Sequence, residues 1–134
     1  MKVSHGREEG KPSVRRTQTV TGEMWGDPIL HDVGDVGVGD IAVNSVFFTP
    51  GSRSHWHRHD GAHVLFITQG RGFVGNADGE TASVVAGDVV FCAPGEEHWH
   101  GAAHDNFMQH TTITVGKTEW HDPVGDEQYG KAGN

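Results

Sequence analysis

A chain of 134 residues, 34% of them apolar, fits one compact domain and leaves no room for a second of ordinary size. Lys and Arg number 10 against 18 Asp and Glu; positions 1–16 hold five basic and two acidic residues, so the rest of the chain carries a net −11. A body that acidic repels a phosphate backbone, which excludes a nucleic-acid partner, and with no apolar run beyond about five residues neither a membrane span nor a secretory leader is expected, so the chain is read as cytoplasmic. The lone Cys92 sits in the apolar run Val89-Val90-Phe91-Cys92 and reads as a small core residue.

In chain order, residues 1–15 are polar and aperiodic and read as a flexible or partner-docking segment, ahead of a single domain over 16–134. Strands are expected at Arg16 to Val20, Asp40 to Phe48, Ala62 to Thr68, Gly72 to Gly75, Ala82 to Val85, Val89 to Cys92 and Phe107 to Val115. Asn76-Ala77-Asp78-Gly79 marks a hairpin, and Pro50-Gly51, Gly70, Gly87-Asp88 and Pro94-Gly95 mark further corners. The one helix candidate, Thr21 to Trp25, is cut short by Gly26-Asp27-Pro28, and the tail after Trp120 is polar enough to lie on the surface. Short strands between such turns predict an all-β sandwich or barrel.

Strand parity then groups the histidines, of which there are 11. His55, His57 and His59 share one face, with Trp56 and Arg58 on the other; His63 shares a face with Leu65 and Ile67, which marks it as interior; Glu97-His98-Trp99-His100 again pairs two imidazoles across one Trp. Buried imidazoles without partners are costly, and a metal ion removes that cost, since an H-x-H pair on a strand sends both rings to one ion.

The spacing is more specific still. Gly51, then His57-x-His59, three residues to His63 and six to Gly70, followed by Gly87-Asp88, Pro94-Gly95, two residues and His98, resembles the paired motifs of the small single-domain cupins. The resemblance spans roughly residues 40–116, with a looser similarity in the ending from Glu119 to Tyr129. It implies a double-sheet jelly roll with one divalent metal ion, and by position the ligands His57, His59, His63 and His98. His63 stands where the family usually has Glu, so the implied site is all imidazole and leaves the charge of the ion intact; Ala93 and Ala102 replace the Pro and Asn of the second motif.

His110 shares parity with Met108 and Thr112, and this segment resembles cupin hydroxynitrile lyases, which place a His near the metal, so His110 is the expected catalytic base. His55 and His100 are expected to be bystanders. Zinc is favoured, with Fe, Mn, Ni or Co as alternatives. The expected lining of Phe47, Leu65, Ile67, Phe73, Phe91 and Met108 suits a small apolar or aromatic polyketone-like substrate. In function the chain looks most like the bacterial cupin polyketide cyclases, which implies metal-dependent aldol closure of an aromatic poly-β-ketone in antibiotic-type metabolism. An iron-dependent dioxygenase, a hydroxynitrile lyase-like enzyme and a non-enzymatic binding cupin are the alternatives. Open sheet edges and flanking Trp residues predict a homodimer.

Overall fold

The computed structural model describes residues 1–34, 37 and 39–133. Among the described residues the strands are β1 (Val14–Arg16), β2 (Val20–Thr21), β3 (Met24–Leu30), β4 (Ile41–Phe48), β5 (Arg53–Ser54), β6 (His57–His59), β7 (His63–Asn76), β8 (Thr81–Val85), β9 (Val89–Cys92), β10 (His98–Ala102), β11 (Met108–Val115) and β12 (Thr118–Trp120), followed by the short helix α1 (Asp126–Lys131). All pairs are antiparallel. One sheet runs β9-β7-β11-β4-β3-β1. In the other, β7 lies between β8 and β10, β5 and β2 continue beyond β10, and β6 joins β10 to β12. The expected double-sheet all-β architecture is what the chain forms, as a nearly closed antiparallel barrel.

The two strands expected at Ala62 to Thr68 and Gly72 to Gly75 are one strand of 14 residues that bends from the first sheet into the second. Gly70 makes the bend at φ +72°, and any Cβ there would stand 2.0 Å from the Phe107 carbonyl oxygen, so the corner admits only Gly. Between the sheets lie Phe48, Leu65, Ile67 and Met108, all at most 3% exposed, with Val20, Met24, Val84 and Ala102 around them. Cys92 is buried as expected, and burial pushes its thiol up to about 12.

Three local expectations need correction. Arg16 to Val20 is not one strand: Val14–Arg16 pairs with β3, whereas Val20–Thr21 pairs with β5 in the other sheet. The helix candidate at Thr21 to Trp25 gives way to β3, whose backbone bonds to β4 on one side and β1 on the other; Pro28, which has no N–H to give, sits where the register shifts between Pro28 and Leu30. The tail is not merely superficial. Val124, Tyr129 and Ala132 are buried against Phe73, Trp99 and Ala103, and Tyr129 donates its hydroxyl to the Ala102 carbonyl at 2.7 Å. Apolar anchors spaced five and three residues apart in a polar stretch give no strand or helix period to read.

Candidate metal centre

The histidines meet because three ladders hold them in register. On β6, His57 and His59 point inward while Arg58 points outward to Glu119 at 2.9 Å. His98, first residue of β10, lies opposite His57, and His63 opens β7. The turn before β10 is pinned to β6, since the Gly95 N–H donates to the His59 carbonyl at 2.8 Å. Both sequence motifs are thereby fastened to each other through the backbone.

Side-chain bonding then decides which ring nitrogens are bare. His57 Nδ1–H donates to the His55 carbonyl and His98 Nδ1–H to the Glu96 carbonyl, each at 2.8 Å, so both neutral rings turn an unprotonated Nε2 inward. His59 Nδ1 shares a hydrogen bond with Thr118 Oγ1 at 2.8 Å. His63 Nδ1 faces His59 Nε2 at 3.1 Å and His98 Nε2 at 3.0 Å, and one nitrogen cannot donate to both. More lone pairs than protons converge at one point, which is the donor set a divalent cation requires. One nitrogen from each of His57, His63, His98 and His100 lies within 4.8 Å of the others, so these four buried histidines can hold a metal ion, and His59 stands beside them.

Burial and mutual repulsion keep these rings neutral. His57 and His100 are held well below the usual imidazole range by desolvation first, His63 and His98 are lowered for the same leading reason, and His59 falls to about 4. Protons therefore compete poorly for the site near neutral pH.

His110 does not line the cavity. It is fully buried behind His100, with its Nε2 3.0 Å from His100 Nδ1, its ring against Phe48, and its Nδ1 without a hydrogen-bond partner; desolvation lowers it to about 4. His100, expected to be a bystander, is the member of this pair that faces the cavity and stands among the possible ligands. The signal for it was present: His98-x-His100 has the same spacing as His57-x-His59. His55 contributes its carbonyl rather than its ring.

The histidines open into a cavity of about 430 Å³. The expected apolar lining is not there. Leu65, Ile67 and Met108 belong to the core, Phe73 packs in the tail cluster, Phe47 stacks on Phe107 at 5.5 Å, and Phe91 is 64% exposed. The inward positions of β4, β11 and β12 instead bring Asn44, Thr112, Thr114 and Thr118 to the wall, with Val46, Met24 and Trp120 as apolar relief. Trp99, expected to face away from the metal, does so and packs on Tyr129.

These features have known counterparts. The chain is 42% identical over 93 residues to an (R)-mandelonitrile lyase of Granulicella tundricola, a match covering 66% of this chain and 71% of the relative. A cupin-like protein of Thermotoga maritima superposes with a TM-score of 0.83 at 34% identity, covering 93% of this chain and 96% of that one. The polyketide cyclase RemF of Streptomyces resistomycificus shares the fold, with a TM-score of 0.68 at 17% identity over 96% of this chain and 90% of the other. The profile of the cupin domain matches residues 44–114, more than half of the chain and the stretch that supplies all of the clustered histidines, and the protein belongs to the cupin family.

Proposed function

We propose that this cupin is a metal-dependent carbon–carbon lyase acting on a small hydroxylated or carbonyl compound, with cyanohydrin cleavage as the reaction to test first. The observation that carries the reading is the 42% identity to a mandelonitrile lyase, and a cavity of mixed polar and apolar lining at an all-imidazole centre is consistent with it. A divalent ion held by His57, His63 and His98, with His59 completing the set so that His100 stays free as a base, would supply Lewis acidity toward a substrate oxygen. His100 lines the cavity in neutral form and is the candidate to take the hydroxyl proton as the C–C bond breaks and its electron pair leaves with cyanide. His110 then acts through His100, fixing the orientation and tautomer of that ring through the 3.0 Å bond between them.

The polyketide-cyclase reading shares this machinery and draws on the fold of RemF. At 17% identity RemF shares the fold alone, so it supports that reading less than the 42% identical lyase supports the first. The test is release of benzaldehyde and cyanide from mandelonitrile by zinc-, manganese- and iron-loaded protein, compared with metal-stripped protein. Metal-dependent release above background supports the lyase; background release with every metal overturns it, and oxygen uptake restricted to the iron form would move the assignment to a dioxygenase.

A further inference from the structure

The cavity is unusual in its charge. The sequence holds 18 Asp and Glu, yet among the described residues none lines it. Part of its wall is β1, exposed along its length, whose Val14 and Arg16 lie opposite Gly26 and Met24 of β3. Parity turns Val14 and Arg16 to the same face as Met24, a core residue, and Arg15 to the other, where it bonds Glu23 at 3.0 Å and lies over the Trp25 ring. Gly26 has no side chain, and the space it leaves is crossed by Arg16, whose Nε would stand 3.6 Å from a Cβ built there.

Five of the six arginines are held by carboxylates: Arg7 by Asp27, Arg15 by Glu23, Arg53 by Asp126, Arg58 by Glu119 and Arg71 by Asp105. No described carboxylate lies within 4.0 Å of Arg16. Arg16 is exposed, and in a chain of net charge −8 its guanidinium, without a carboxylate partner, stands at an acid-free cavity wall open to an incoming anion.

We propose that Arg16 binds a carboxylate of the substrate in the cavity that the histidines also line, so that the compound acted on is a small carboxylic acid bearing the hydroxyl or carbonyl group that meets the metal centre. The guanidinium fork matches a carboxylate through two parallel N–H···O bonds, and Asn44, Thr112 and Thr114 of the same lining offer neutral hydrogen bonds. The inference rests on the same cavity being the substrate site.

The test is calorimetric titration with a matched pair of probes, 4-formylbenzoate and 4-formylbenzamide, which differ in the anion alone. The carboxylate should bind about tenfold or more tightly than the amide, the preference weakening as salt is raised. Arg16→Gln should bring the two within about twofold, while Arg71→Gln, outside the cavity and paired with Asp105, should keep the preference. Metal-stripped protein should also keep it, because Arg16 does not depend on the ion. Equal binding of the two probes by the unmodified protein overturns the proposal. So does a preference that survives Arg16→Gln and vanishes with the metal, since the ion itself would then be the anion's partner. Cleavage of mandelonitrile without any carboxylate preference removes the anion site and leaves the lyase standing; the preference without cleavage supports the anion site and counts against the lyase alone.

Discussion

Each of the six clustered imidazoles is at most 5% exposed, and unfolding would return all of them to water. An unfolded His binds a proton below about pH 6.5, whereas the buried ones resist protonation, His59 and His110 down to about 4. The folded state thus binds fewer protons, so stability is complete above pH 6.5 and falls as the pH drops, by about 1.4 kcal/mol per pH unit for each buried ring still neutral when folded. Thermal melts of metal-free protein should show Tm dropping steeply between about pH 6.5 and 5; a level profile would contradict the burial. The ligands are also unequal. His98→Ala removes an Nε2 whose bareness is guaranteed by the Glu96 carbonyl, and most metal should be lost on dialysis. His63→Gln leaves an amide oxygen as a donor, with His59 and His100 nearby, and should retain part of it. Equal metal content in the two variants would reject this ranking. That these histidines gather at one point was legible because strand parity and motif spacing agree; that His100 joins His57, His63 and His98, with His59 beside them, was not. The place of His110 was not, because parity gives a face but not which of two inward rings lies in front of the other.

At the level of elements, the corner in β7 carries the greatest local demand. Gly70→Ala would drive a methyl group into the Phe107 carbonyl at positive φ, and it should cost about 2–4 kcal/mol, read as a lowered urea midpoint with little change in slope. A loss below about 0.5 kcal/mol would show that the bend relaxes easily. Strands with strong β-branched content, such as β4 and β11, were legible to within a residue. What escaped was pairing that depends on distant partners: β3 has Gly, Asp and Pro in its sequence and becomes a strand because β4 and β1 flank it. The tail escaped for the same reason, as its anchors have meaning only against Phe73 and Trp99.

For the whole molecule, one outer face is apolar. Phe66 lies beside Val89, and Phe91 beside Val64, and Phe66, Val89 and Phe91 are 40%, 58% and 64% exposed. With each copy at net −8, two chains are expected to meet over an uncharged patch such as this, paired about a two-fold axis. Sedimentation should give a dimer at micromolar concentration and a monomer for Phe91→Glu; a monomeric unmodified protein would reject the pairing. The bend of β7 has a further consequence for how molecules enter and leave. Because this strand is a member of both sheets, the sheets cannot part without breaking its ladders, whereas β1, part of the cavity wall, is bonded on one edge alone and can loosen without disturbing them. Amide hydrogen exchange should accordingly be slowest along β7 and β11 and fast at Val14 to Arg16, with ligand slowing exchange at that strand while the inner ladders stay as they were.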